Sequence, residues 1–146
     1  MTILYIGNLP KPYEHCAAQA NISIITAANG IVAIERLKKE NNIDVIICQY
    51  NLPGNTGLFL FDKINEDPRL NKTPFILVAE EFSKEIFITA FEKGVSDYFV
   101  PSTTEAEKII NRSISLYKLK DSSYESNETK SEPYRMPLSK RIFDIV

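Results

Sequence analysis

The sequence predicts an α/β protein, a three-layer sandwich in which a five-stranded parallel sheet is covered by helices on both faces. Two patterns support this. Short apolar runs without alternation, such as Val45-Ile-Ile-Cys48 and Phe75-Ile-Leu-Val78, mark strands buried on both faces, as strands of a parallel sheet are. Between such runs lie segments whose apolar residues recur three and four apart, the pattern of helices that rest on a sheet with one face wet. A chain of 146 residues is long enough for one such domain and too short for two.

Thr2 to Ile6 opens the chain as a buried strand, closed by Gly7-Asn8 and the breakers Pro10 and Pro12. Tyr13 to Ala20 is a short, weakly amphipathic helix, and Asn21 to Ile25 a second strand with β-branched residues. The small residues Thr26, Ala27 and Ala28 lead to Asn29-Gly30. After these, Ala33, Ile34 and Leu37 form a helical apolar face and leave Glu35, Arg36, Lys38 and Lys39 to solvent. The third strand is the front half of Asp44-Val-Ile-Ile-Cys-Gln-Tyr-Asn-Leu-Pro-Gly-Asn-Thr-Gly57, and the back half is turn chemistry punctuated by Pro53-Gly54.

Leu58, Phe61 and Ile64 face the core from a third helix that Asp67-Pro68 ends, and Phe75 to Val78 is the fourth strand. Ser83 caps a fourth helix, with Ile86, Phe87, Ala90 and Phe91 on one face and Gly94 at its end. Asp97 to Val100 is the fifth strand. Thr103 or Thr104 caps the fifth helix, along which Ala106, Ile110, Ser113, Ile114 and Tyr117 align. With right-handed crossovers this alternation gives a flavodoxin-like architecture of strand order 2-1-3-4-5. In such sheets the chemistry sits on loops at the carboxyl ends of central strands, which points to residues 49 to 57. The side chain at the head of that loop is an amide, Gln49.

Composition narrows the function. Seventeen basic residues stand against 19 acidic ones, so no excess positive charge is present to follow a phosphate backbone, and nucleic-acid binding is not expected. Cys16 and Cys48 lie in apolar surroundings with no Cys-x-x-Cys or Cys/His cluster, and are expected as reduced core thiols, not as a disulfide or metal site. The opening strand has neither the basic lead nor the small-residue cleavage site of a signal peptide. No run reaches the ~20 apolar residues of a membrane helix, so a soluble, cytoplasmic domain is expected. His15 reads as a half-exposed helix residue, Gly54-x-x-Gly57 as a turn, and Glu80-Glu81 as solvated surface.

The Asp44 to Gly57 stretch resembles the third strand and following loop of bacterial response-regulator receiver domains. Asn29-Gly30 before a helix, Thr73-Pro74 before a strand, and Gly94-Val-Ser-Asp-Tyr98 fall at receiver-like spacings, so the resemblance covers residues 1 to 119. It implies a phosphorylation pocket whose members can be read off this chain. Gly7 and Asn8 stand where the family has an acidic pair, Gln49 at the phosphorylated aspartate, Ala79 at a Ser or Thr, and Pro101 at a lysine. Tyr98 holds the aromatic switch position. Phosphoryl transfer needs a carboxylate nucleophile, a divalent cation and donors aimed at the phosphoryl oxygens, and none of these is in place. The expectation is a vestigial pocket that neither accepts phosphate nor binds Mg²⁺. A counter-reading lets Asn8, Gln49 and Asn51 hold another ligand. Receiver relatives commonly pair through helix 4, strand 5 and helix 5, which implies a homodimer through about Ser83 to Tyr117.

Residues 120 to 134 change character. Asp121 to Tyr134 contains four serines and no aliphatic side chain, and is expected to be a polar linker. Beyond it, Leu138, Ile142 and Ile145 share one helical face while Lys140, Arg141 and Asp144 look elsewhere, the pattern of a membrane-interface approach or of a helix docking back on the domain. Ser139-Lys-Arg-Ile-Phe-Asp-Ile-Val146 resembles the opening of the bacterial sugar transferases that begin capsule, O-antigen and exopolysaccharide synthesis. In that family a Lys-Arg-x-x-Asp segment leads into an inner-membrane helix, and a sugar 1-phosphate moves from a nucleotide sugar to a polyprenyl phosphate with Mg²⁺. Residues 135 to 146 would then start a membrane-associated transferase. The expected protein has a receiver-like regulatory or oligomerisation domain ahead of that enzyme, with the catalytic residues and Mg²⁺ site beyond Val146. The alternatives are a free-standing pseudo-receiver that binds another signalling protein, and a true receiver with an unconventional phosphoacceptor.

Overall fold

The computed structural model describes residues 1–101 and 104–129, with side chains as far as residue 119. Five parallel strands form one sheet: β1 (Thr2–Ile6), β2 (Ser23–Ala27), β3 (Val45–Gln49), β6 (Phe75–Val78) and β7 (Asp97–Phe99), in the order β2-β1-β3-β6-β7. The two-residue strands β4 (Asn51–Leu52) and β5 (Asn55–Thr56) pair antiparallel around Pro53-Gly54 as a separate ribbon. The expected numbering 2-1-3-4-5 is corrected accordingly, because the turn chemistry after Gln49 closes a hairpin before the chain returns to the sheet.

Alternation along each strand sorts the core into two halves. Leu4, Ile6, Ile46, Cys48, Phe75 and Leu77 point to the face covered by α2 (Gly30–Lys39), α3 (Gly57–Asn65) and α4 (Lys84–Lys93). Ile3, Tyr5, Val45, Ile47, Ile76 and Val78 point to the face covered by α1 (Lys11–Gln19) and α5 (Ala106–Thr129). Side-chain caps start three helices. Asn29 Oδ1 accepts from Val32 N at 2.9 Å, Thr56 Oγ1 from Phe59 N at 3.2 Å, and Ser83 Oγ from Ile86 N at 3.3 Å. Gly94, at φ 104, ends α4 as expected.

Several boundaries differ from the sequence reading. Pro12 lies inside the first turn of α1, where a missing N–H costs nothing. The second strand starts at Ser23, because Asn21 (φ 58) and Ile22, whose N–H donates to Ala17 O at 2.9 Å, finish the turn after α1. Phe91 sits at the edge of the α4 stripe and is 49% exposed. The fifth helix is helical to Thr129, into the segment expected as a linker. Adding a residue to a formed helix fixes two dihedrals per hydrogen bond, which is easier than starting one. Thr103, the remainder of that linker, and the tail with Lys140, Arg141 and Asp144 lie outside the described residues, among which no helix is long and apolar enough to cross a membrane.

Tyr13 of α1 is buried edge-on against Tyr5 at 5.3 Å, and its hydroxyl has no hydrogen-bond partner among the described residues. Tyr13→Phe should therefore raise the unfolding free energy by about 1 kcal/mol. Burial also holds the Tyr13 phenol far above its ordinary value of 10.0, so the folded chain keeps this proton more tightly than the unfolded chain does. The linked stability is whole below pH ~10 and falls as pH rises beyond it, and the variant should lose that part of the slope. Urea titrations from roughly pH 8 to 11 read both effects. A variant less stable than the parent at neutral pH would mean that the hydroxyl is satisfied.

Candidate functional site

The chain enters the sheet at β1, moves outward to β2, and crosses back to β3 on the other side of β1. A crevice therefore opens between the carboxyl ends of β1 and β3, the switch point where doubly wound sheets bind ligands. Gln49, the last residue of β3, reaches into it. Tyr5 lies opposite Ile47 in the β1–β3 register, so Tyr5 and Gln49 share one face of the sheet, two residues apart along the strands.

The Gln49 amide uses both of its ends. Nε2 donates to Tyr5 Oη and to the Asn8 carbonyl, each at 3.0 Å, and Oε1 accepts from Asn8 N at 3.3 Å. A glycine is required beneath it. Gly7 has φ 125, a conformation that strains other residues, and a Cβ there would collide with the Gln49 amide. On the far side a Cβ on Gly57 would stand 2.6 Å from the Gln49 carbonyl and 2.8 Å from Leu77 Cδ1, so α3 can start this close to β3 only with a glycine. Burial pushes the Tyr5 phenol above its ordinary range, the hydrogen bond with Gln49 pulls the other way, and Cys48 adds to the rise. The ring thus remains a protonated hydroxyl that can accept from the amide.

A cleft of about 50 Å³ lies beside Gln49, lined also by Tyr50, Asn51, Val78, Ala79, Glu80 and Pro101. Water-sized occupants fit it. The structure thus brings Gln49, Asn51, Ala79 and Pro101 around one small cleft, with Gly7 and Asn8 touching Gln49 from the β1 side. Tyr98 stands apart: its ring is buried, and its hydroxyl accepts from Ser83 N at 3.2 Å and donates to Glu81 O at 3.3 Å. Sequence reading missed Tyr5, although strand parity two residues before Gly7 could have found it. It also set aside Glu80, whose carboxylate is the one acidic side chain lining the cleft. Cys16 and Cys48 are free thiols, and burial pushes Cys48 well up. Among the described residues, no three His, Cys, Asp or Glu side chains are grouped as a metal would need.

The family model "Response regulator receiver domain" matches residues 12–112. The chemotaxis protein CheY1 of Helicobacter pylori (strain ATCC 700392 / 26695) is 33% identical over 81 residues, which are 56% of this chain and 65% of that protein. This chain therefore spans less than two thirds of that relative. CheY of Pseudomonas aeruginosa is 33% identical over 92 residues, 59% of this chain and 73% of that protein. Among solved structures, a putative response regulator from Chloroflexus aurantiacus J-10-fl superposes with a TM-score of 0.70 at 23% identity, covering 80% of this chain and 97% of that one. CheY4 of Vibrio cholerae gives 0.69 at 21%, covering 79% and 97%. At these identities the structural likeness speaks for the fold.

Gly7→Ala should destabilise the chain by about 2 kcal/mol or more, through the left-handed backbone and the collision with the amide. In a Gln49→Ala background the same change should cost less, because the collision partner is gone. Equal costs in both backgrounds, measured by urea unfolding, would show that Gly7 is constrained by its backbone alone.

Proposed function

This chain belongs to the response regulator receiver domain family, and from that premise we propose that it is a receiver which takes no phosphoryl group and works as a regulatory or oligomerisation module. The observation behind this reading is the Gln49 amide, hydrogen-bonded at both ends to groups of the β1 side. An acyl phosphate forms on a carboxylate, and an amide supplies no such nucleophile. Mg²⁺ takes octahedral oxygen ligands, usually with one or two carboxylates. Gly7 offers no side chain, Asn8 and Gln49 offer neutral amides, and Glu80 alone lines the cleft with a carboxylate, so this donor set does not fit the ion. Ala79 and Pro101 bring neither hydroxyl nor ammonium to bear on a transferring group. No cofactor is assigned to the domain.

In the same reading the module precedes a bacterial sugar transferase that moves a sugar 1-phosphate from a nucleotide sugar to a polyprenyl phosphate. The likeness of Ser139 to Val146, with Lys140, Arg141 and Asp144, to that family's opening supports it. The domain would be cytoplasmic and tethered at the inner membrane, with Mg²⁺ and the lipid acceptor belonging to the transferase. Self-association would use the surface of α4, β7 and α5, about Ser83 to Tyr117. There Ile88 and Phe91 are exposed, and the rings of Phe82, Phe87 and Tyr98 pack side by side with centroids 5.9 to 6.0 Å apart. A second reading is a free-standing pseudo-receiver that binds another signalling protein, with the tail as its docking helix. Translation stopping after Val146 would leave only this second reading.

Incubation with acetyl phosphate and Mg²⁺ should leave the intact mass unchanged, and a phosphate adduct would overturn the first half of the proposal. Sedimentation of the 146-residue chain should show association that grows with concentration. A monomer across the whole accessible range would remove the oligomerisation half.

A further inference from the structure

The seam between α2 and α3 on the opposite side of the helical layer from α4 is apolar and unfilled. One hollow of about 410 Å³ has Ile31, Ile34, Phe59 and Leu60 in its lining, and an adjoining one of about 120 Å³ has Leu37, Ile64 and Leu70. Both share Ile34, Lys38 and Lys63, so they form one trough with two depressions. Ile31 is 74% exposed and Phe59 47%, large apolar side chains that the fold leaves in water. Ile34 and Lys38 on α2, and Phe59 and Lys63 on α3, are each one helical turn apart, so both walls of the trough present side chains at turn spacing. That is the spacing of neighbouring side chains on one face of a partner helix.

The trough is basic at its middle. The ion pairs among the described residues are Arg69–Asp67, Lys93–Asp62 and Arg112–Asp97, so neither Lys38 nor Lys63 is matched by a carboxylate. Lys63 Nζ lies 5.5 Å from the centre of the Phe59 ring. Of the acidic side chains in the lining, Glu35 stands three residues before Lys38 on α2, and Asp67, in the smaller hollow, accepts from Arg69 N at 2.9 Å. An occupant should therefore be an amphipathic helix with two bulky apolar side chains one turn apart and carboxylates beside them.

One helix of that description is α4 itself. Ile88 and Phe91 are exposed at 44% and 49% and stand three residues apart. Glu85 and Glu92 lie three residues before and four after Ile88 on the same stripe, and Lys84 leaves one cation to meet Glu35. The basic tail fits worse, since Lys140 and Arg141 would meet Lys38 and Lys63 with the same sign. We infer that α4 of one copy docks in the α2–α3 seam of a second copy, through Ile88 and Phe91 in the depressions and Glu85 and Glu92 against Lys38 and Lys63. This rests on the reading of α4 as a self-association surface and names what it meets. The contact is head-to-tail, so an assembly keeps a free α4 at one end and a free seam at the other unless a ring closes.

The test uses two variants of the 146-residue chain with changes at exposed positions, Ile88→Lys/Phe91→Lys for α4 and Ile31→Glu/Lys38→Glu for the seam. Sedimentation velocity should show self-association of each variant weakened roughly tenfold or more. An equimolar mixture should form a one-to-one dimer and nothing larger, because one variant retains the seam and the other retains α4. A charge-exchanged chain, Lys38→Glu/Lys63→Glu/Glu85→Lys/Glu92→Lys, should regain association that either half of the exchange loses, which guards against variants that misfold. If the seam variant associates as the parent does while the α4 variant does not, α4 pairs symmetrically and this inference falls while the α4 surface stands. If the mixture stays monomeric and the exchange restores nothing, the seam is not the counterpart. A parent that never associates overturns both readings.

Discussion

The three central strands, β1, β3 and β6, are dry on both faces, and that condition decides where polarity can exist in this fold. Ile3, Ile46, Ile47 and Leu77 are fully buried, and the strands pair in parallel across the middle of the chain. Inside such a layer the backbone satisfies itself and side chains are apolar, so polar groups are confined to strand ends. Gln49 is such a group. Its surroundings fit an amide: the Asn8 N–H needs an acceptor, while the Asn8 carbonyl needs a donor. A carboxylate in the same place would satisfy the first and leave the Asn8 carbonyl facing like charge. The neutral crevice is internally consistent, with Tyr5 completing the set from the next strand.

The fold was legible where one physical signal dominated. Val45 to Cys48 and Phe75 to Val78 read as buried strands because no polar residue interrupts them, and Asn29, Ser83 and Gly94 read as helix ends because their chemistry suits those positions. It was illegible where a tertiary or local backbone effect overrode composition. Pro12 looks like a breaker until it is placed in a first turn, and Asn21 looks like strand until its left-handed conformation closes the turn after α1. The strands of the small ribbon are two residues long, too short for any periodicity to announce them. Polar sequence after Leu119 argues against a core, yet does not argue against a helix that is already under way.

The site shows the same division. Gln49, Asn51, Ala79 and Pro101 could be placed together because each ends or closely follows a strand whose end was clear. Tyr98 separates from them, but a short path connects the two. The loop after β6 lines the cleft with Ala79 and Glu80, and one and three residues after Glu80 it meets the Tyr98 hydroxyl at Glu81 and Ser83. One loop thus couples the crevice to the aromatic edge of α4. Two hydrogen bonds and contacts with Phe82 and Phe87 hold the ring in place.

Gly57 has a wider meaning. Its hydrogen faces the Gln49 carbonyl and the Leu77 side chain at a separation no methyl group could enter. That prohibition arises from the backbone at 49, not from the group attached to it. Folding alone requires glycine at this point, whatever side chain position 49 carries. A glycine beside the head of this loop is thus a requirement of the architecture, independent of any chemistry at the Gln49 side chain.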